Sequence, residues 1–477
     1  MASRSAWPAG TGAGPLDRPW TRPANRRRST TARLVRAFPL VGATVGASVF
    51  ASISIFRHDR FASGGFDLGI FDQTIWGYSR LEIVHNTVKG TPNLLGDHFH
   101  PVLMALAPLY WLWDDARVLL VAQAFLIAAA SLPIFYWARR RIGLGGAVSA
   151  QVGFLAFWGV LAGVMFDFHE LAVAVPVISF GLYALLERRR RLFWAMFVLG
   201  CLTKEDVALT FAAMGVYAFV VQGRRQLGAA AVAAGAAWFG VTVSVIVPTI
   251  AGRPYHYWDY PGLGATPGRA LLTLLERPYR GLTMLLDRPE KRTSLGKLMG
   301  AWLFLPLASP VLLVAVPQLA ERFWAGNANL WSTSFQYSLP IAPVLAFAAV
   351  DGTWRLGRRG RGRSVAPVLL PLALAAGVVV TAFVVRPLGP LTHYMSAARA
   401  TEIDRCLDAI PSQASVAASQ HLIPHLTHRT DITPLYRRRD QEYLAADGRR
   451  GHRLLVAPPT GYRVLCRGGP VTVLARD

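Results

Sequence analysis

The chain has 477 residues, 53% of them hydrophobic and 16% charged, with a mean hydropathy of +0.34 and a formal net charge of +23. So apolar a chain is excluded from the ordinary soluble class and reads as an integral membrane protein. Its basic surplus lies in short arginine clusters between apolar segments, which argues against a nucleic-acid partner and for positive-inside anchoring in a bilayer.

Residues 1–34, rich in Pro, Gly, Ser and Arg, read as a disordered cytoplasmic tail. Arg26, Arg27 and Arg28 precede an apolar run at 38–56 as in a signal sequence. No small-x-small cleavage site closes that run, so it is expected to be an uncleaved anchor and the first crossing. A loop follows to His100, then an apolar helix at 101–113 and a span at 116–137 that returns the chain to Arg139, Arg140 and Arg141. Span 147–165 exits to F-D-F-H-E (166–170), and 171–186 comes back to Arg188, Arg189, Arg190 and Arg191.

The stretch 192–222 carries Lys204, Glu205 and Asp206 in its middle. One span would set three charges at the bilayer centre, each at about 2.5–3.5 kcal/mol. Two short helices meeting at 203–206 avoid this, because interrupted backbone is tolerated where it lines protein or water. Span 228–249 exits to a long loop, 251–296, where R-P-Y-H-Y-W-D-Y (253–260) has the texture of an interfacial segment. Residues 298–320 hold Pro306, Ser309, Pro310 and Pro317, which predict two short broken crossings. The chain then returns through 338–350 to Arg355, Arg358, Arg359, Arg361 and Arg363, and a last span, 365–385, delivers the C-terminal part outside.

The fold class expected is thus an all-α polytopic bundle over 35–388 with interfacial outer-loop helices and short broken spans. A small extracytoplasmic α/β or β-rich domain over 389–477, docked on the outer loops, follows from the apolar runs at 414–418, 454–456 and 471–474. Three cysteines exclude a disulfide scaffold; Cys406 and Cys466 in that last part are either one bridge or two free thiols.

The candidate chemistry lies in the outer loops. In F-D-L-G-I-F-D-Q-T-I-W (66–76), Leu68, Phe71, Ile75 and Tyr78 recur at helical spacing and predict a short amphipathic helix along the interface, with Asp67 and Asp72 flanking its apolar stripe on opposite sides. The plainer readings are an N-cap for Asp67 and a solvated position for Asp72. In G-D-H-F-H-P (96–101), Asp97, His98 and His100 precede a helix starting at Pro101, as capping groups or as ligands for a phosphate or divalent cation. No ligand spacing specifies a metal, and the sequence leaves any cofactor unknown. Asp167, His169 and Glu170 offer the same alternatives at another helix junction.

Lysine occurs only at 89, 204, 291 and 297 in this arginine-rich chain, so Lys204 is read either as a compact cation for a phosphate or as an internal partner of Glu205 or Asp206. Gln336 and Tyr337, in F-Q-Y-S-L-P (335–340), either donate into the same cavity or form part of an aromatic belt. His421, His425 and His428, spaced by four and three, fit a helical metal site or an ordinary polar surface.

F-D-L-G-I-F-D-Q-T-I-W, G-D-H-F-H-P with A-P-L-Y (107–110), F-D-F-H-E, T-K-E-D (203–206) and F-Q-Y-S-L-P together resemble the DUF2079 family of multispan membrane proteins. A-S-V-A-A-S (414–419) with I-P-H-L-T-H-R (423–429) resembles its C-terminal portion, and the likeness covers nearly everything after residue 38. More remotely, the layout resembles the GT-C class of membrane glycosyltransferases, which implies sugar transfer from a polyprenyl-phosphate donor to a cell-envelope glycan or lipid acceptor at the outer face of the plasma membrane. It implies an acidic residue in the first outer loop that acts as general base or positions the acceptor: Asp67 by position, Asp72 second. The class usually pairs that acid with an adjacent one, where this chain has Leu68. A cradle for the departing phosphate falls to Lys204, with Arg253, Arg322 and His98 as weaker candidates and Asp97, His169, Glu205, Gln336 and Tyr337 around them. The alternatives are a transporter or lipid flippase, for which broken helices with embedded charges are equally natural, and a non-catalytic envelope assembly factor.

Overall fold

A computed structural model describes residues 26–358, 366–385, 395–448 and 458–477, of which those from 39 onward form one compact unit. The helices run in the order α1 (Arg26–His58), α2 (Ile70–Ser79), α3 (Arg117–Ala129), α4 (Ser131–Leu155), α5 (Trp158–Val164), α6 (Leu171–Leu186), α7 (Arg190–Cys201), α8 (Val207–Val220), α9 (Arg225–Val241) and α10 (Val247–Ala251). After these come α11 (Pro267–Glu276), α12 (Tyr279–Leu286), α13 (Pro289–Gly300), α14 (Val316–Trp324), α15 (Ala328–Trp331), α16 (Ile341–Arg358), α17 (Ala366–Val385) and α18 (Ala397–Leu407). Among the described residues Ala37–His58, Arg117–Leu155 and Arg225–Ala251 are long and apolar enough to cross a membrane, and four shorter apolar helices accompany them.

The expected breaks are present. Leu202 to Asp206 separate α7 from α8, and the proline-rich stretch before α14 winds as two tight turns, Leu305–Ala308 and Pro310–Ala315. Gly143, at φ 81°, bends α4 just after the arginine triplet. Helix α16 is buried from Ile341 through Thr353 and forms the centre of the bundle, as its apolar residues on every side require. Helices α8 and α9 touch backbone to backbone: a Cβ on Gly228 would lie 2.7 Å from the Gly215 carbonyl oxygen.

One expectation changes. Helix α1 begins at Arg26, and the tail expected over residues 1–34 lies for 1–25 outside the described residues. The long loop 251–296 is largely helical, because Thr266 caps α11 by accepting the Arg269 amide and prolines stand at the starts of α11 and α13.

The last part of the chain is a mixed α/β layer. Strands β1 (Val416–Ala418), β2 (Ile432–Pro434), β3 (Tyr443–Asp447), β4 (Tyr462–Gly468) and β5 (Val471–Arg476) form one sheet in the order β2-β1-β3-β5-β4, parallel on the β2-β1-β3 side and antiparallel through β3-β5-β4. Helix α18 covers the sheet and is joined to β4 by a Cys406–Cys466 disulfide, which closes the alternative left open above. The proposed boundary at 388–389 and the run 454–456 lie outside the described residues.

Candidate functional site

The segment 63–79 is the hinge of the site. Helix α2 starts at Ile70, and all ten of its residues are buried, which corrects the expectation of an interfacial surface helix. The cause is a second apolar surface supplied by the C-terminal layer. Gly65 donates to the Gln420 carbonyl (2.7 Å), Gln73 to that of Arg429 (3.2 Å) and Thr87 to that of Ile432 (2.7 Å). Ile423 packs so closely that a Cβ on Gly65 would lie 2.7 Å from its Cδ1.

This docking separates the two aspartates. Asp72 is fully buried: Tyr110 donates to it at 2.5 Å, Thr427 donates from the C-terminal layer, and His428 Nε2 lies 3.2 Å away. His428 also stacks on Trp76 and meets Asp114 through Nδ1 at 3.2 Å. Burial alone would raise the Asp72 carboxyl; His428 and the hydrogen bonds from Thr427 and Tyr110 outweigh it and hold the group below its ordinary value. Asp72 is therefore not a solvated position.

Asp67 is not an N-cap, since Gly69 holds that place and no side chain caps α2. It sits at φ 79°, ψ −95°, a conformation rare for a non-glycine residue. Its side chain is 22% exposed and accepts no hydrogen bond from the described residues; its nearest ionic neighbour is His169 Nε2 at 3.7 Å. Burial pushes its carboxyl up to about 6, with His169 opposing and Glu170 adding to the rise.

Behind Asp67 runs a line of alternating charges. His169 Nδ1 meets Glu170 at 2.7 Å, and Lys204 Nζ lies 3.6 Å from Glu170 and 3.9 Å from Asp206. Glu205 beside it accepts from His98 (2.6 Å), from Tyr255 (2.8 Å) and from the Phe99 amide (3.2 Å). Asp97 pairs with Lys89 at 3.1 Å and accepts from Tyr257 at 2.7 Å, while His98 stacks on Tyr257. Tyr337 is within electrostatic reach of Asp67, Glu170 and Lys204, and the buried Gln336 leaves its Oε1 without a partner among the described residues. Segments far apart in sequence thus meet at one end of the bundle.

Other candidates fare differently. All three guanidinium nitrogens of Arg322 are engaged within the chain, by Leu330, Ser332 and Ser338, so it braces a loop. Arg253 is exposed and has no carboxylate partner among the described residues. The three C-terminal histidines diverge: His421 binds the Ser63 carbonyl, His425 stacks on His58 and His428 joins Asp72. Their spacing does not make a metal group because 423–425 form a single tight turn and not a continuing helix. Among the described residues no three His, Cys, Asp or Glu side chains are grouped to hold an ion.

Sequence reasoning passed over Lys89 and gave Asp167 no role of its own. Asp167 shares the Phe-Asp dipeptide and the positive φ (80°) of Asp67, accepts from the Gly64 amide at 2.8 Å, and is pushed up to about 7 by burial, with Asp67 adding to the rise. The repeated dipeptide was the available signal. For Lys89 it was the scarcity of lysine that had singled out Lys204.

A helical membrane bundle with broken crossings, a strained aspartate after the first helix and a small α/β layer over it is a GT-C-like fold. The chain belongs to the DUF2079 family, described as a predicted membrane protein, whose model matches residues 57–448. Two solved structures similar to it are of ArnT from Cupriavidus metallidurans. The form bound to undecaprenyl phosphate has a TM-score of 0.52 at 14% identity, over 91% of this chain and 97% of that one. The apo form has a TM-score of 0.52 at 14% identity, over 94% and 98%. No curated protein matches the chain.

Proposed function

We propose that this protein transfers a sugar from a polyprenyl-phosphate donor to a cell-envelope acceptor at the outer face of the plasma membrane. The observation that carries this reading is Asp67: a carboxylate partly open, free of hydrogen bonds among the described residues, and raised to about 6, at the end of a line of alternating charges. The ArnT structure with undecaprenyl phosphate supports the lipid class of the donor.

The acceptor hydroxyl loses its proton to Asp67 as its oxygen bonds the anomeric carbon. The bond from that carbon to the phosphate oxygen breaks, and its electron pair leaves with the polyprenyl phosphate. Arg253, which has no carboxylate partner among the described residues, and Lys89, whose side chain is 27% exposed and pairs with Asp97, are the cations assigned to the phosphate in this reading. Lys204, only 10% exposed and set between Glu170 and Asp206, holds the line of charges that orients His169. A Cys406–Cys466 disulfide supports an extracytoplasmic C-terminal layer, with the N-terminus cytoplasmic.

The test compares envelope glycans and lipid-linked sugars in a deletion strain complemented with wild type or with Asp67→Asn. Wild type restores a lost glycan and Asp67→Asn leaves its lipid-linked precursor to accumulate. An unchanged profile in the deletion overturns the reading. Transport of the precursor without any transfer step, unaffected by Asp67→Asn, moves the protein to the transporter class.

A further inference from the structure

At the far end of α7 and α8 from Lys204 lies a cavity of about 650 Å³ whose walls include Arg190, Trp194, Arg224, Arg225, Leu227 and Ala230. Two separate turns build it, the one between α6 and α7 and the one between α8 and α9. At about 1.5 Å per residue, the 12 residues of α7 and 14 of α8 put it roughly 18–21 Å from the Lys204 turn. It is thus separate from the site described above.

Its charge is uncompensated. Elsewhere Arg140 pairs with Glu187, and Arg355 with Asp351 at 2.6 Å. Around the cavity Arg190, Arg224 and Arg225 have no carboxylate partner among the described residues; Arg224 reaches only the Gln222 amide oxygen, at 3.4 Å. Burial lowers the Arg224 pKa, and the neighbouring guanidinium groups of Arg188 and Arg190 lower it further. The half-buried Arg224 and the exposed Arg190 and Arg225 border one recess from two elements.

The other walls name the ligand's second half. Trp194, Leu227 and Ala230 continue the recess onto α7 and α9, and the apolar span containing α9 is only 28% buried, so most of it faces outward. Basic pockets between crossing helices at a membrane boundary suit phosphate-bearing lipid headgroups. We propose that this cavity binds the phosphate headgroup of an anionic membrane lipid, with the acyl chains running along the exposed side of α9. The site lies at the cytoplasmic end by its arginines and does not depend on the sugar-transfer reading.

The test uses the full chain in nanodiscs of phosphatidylcholine with increasing phosphatidylglycerol, and native mass spectrometry of the released protein. Wild type retains phosphatidylglycerol in preference to phosphatidylcholine. Arg224→Gln weakens that retention about fivefold to tenfold, as expected for one basic contact, Arg224→Lys keeps most of it, and Arg140→Gln leaves it unchanged. Millimolar inorganic phosphate does not displace the lipid. Equal retention of both lipids by wild type, which needs no variant, overturns the proposal, as does unaltered retention in a folded Arg224→Gln protein. Displacement by inorganic phosphate would make this a site for free phosphate and remove the lipid.

Discussion

Asp67 and Asp72 lie five residues apart in one motif, yet the fold treats them as opposites. Asp72 is sealed, surrounded by donors from Tyr110, Thr427 and His428, and held ionised. Asp67 is partly open, without a hydrogen bond among the described residues, and raised to about 6. A carboxylate whose lone pairs are already satisfied holds structure together; one left unsatisfied in a desolvated place can take a proton from a substrate. The difference between them is made by the C-terminal layer, which reaches one and stops short of the other.

The contrast breaks most sharply at Asp67. Asp67→Asn is expected to lower sugar transfer by about 10²–10⁴-fold in a membrane assay, with the protein still folded. Because a raised carboxyl pKa means that ionising Asp67 opposes folding, the Asn variant should melt no lower than wild type at neutral pH. The same value predicts that wild-type transfer falls about tenfold per pH unit below about 6, where Asp67 becomes protonated. A profile flat down to pH 5 would remove it as the base.

At Asp72 the loss should be structural. Asp72→Ala leaves two buried donors, Tyr110 and Thr427, and the half-buried His428 without their acceptor and is expected to cost about 3–5 kcal/mol, seen as faster hydrogen exchange across 419–432. Undiminished protection there would mean that the layer is held by its apolar contacts alone. Cys406→Ser, opening a link across 60 residues, is expected to cost about 2–4 kcal/mol, confined to the C-terminal layer.

A smaller effect follows from His428. Burial would lower its pKa, but Asp72, with Asp114 and Asp115 near, holds it raised. A raised histidine contributes stability fully below its unfolded value of about 6.5 and loses it as pH rises through the folded value, whereas Asp72 loses its share only in strong acid. Protection of 419–432, corrected for intrinsic exchange, should therefore decline on the alkaline side, and His428→Gln should abolish that slope. The least change is expected at Arg437, whose exposed Nη1 donates to the Lys89 carbonyl at 2.6 Å: Arg437→Ala should cost no more than about 0.5–1 kcal/mol in the same exchange measurement.

Much of the bundle was legible because bilayer chemistry writes itself into local composition. Apolar length, arginine clusters and mid-segment prolines located the crossings, the α7–α8 break at Lys204 and the irregular stretch before α14. The helices inside 251–296 were missed since their amphipathic pattern is short and looks like a loop of mixed polarity. The candidate site was legible as separate motifs, F-D-L-G, G-D-H-F-H-P, F-D-F-H-E and T-K-E-D, but not as an arrangement. Nothing local says that His98 pairs with Glu205 or that Arg322 braces a loop.

By itself the sequence determined a polytopic membrane protein with its acidic motifs at helix junctions, because hydrophobicity and charge act residue by residue along the chain. Only the tertiary structure decided which aspartate is sealed and which is left open. That choice depends on burial and on partners as far away as Thr427 and His428, which spacing along the chain does not encode.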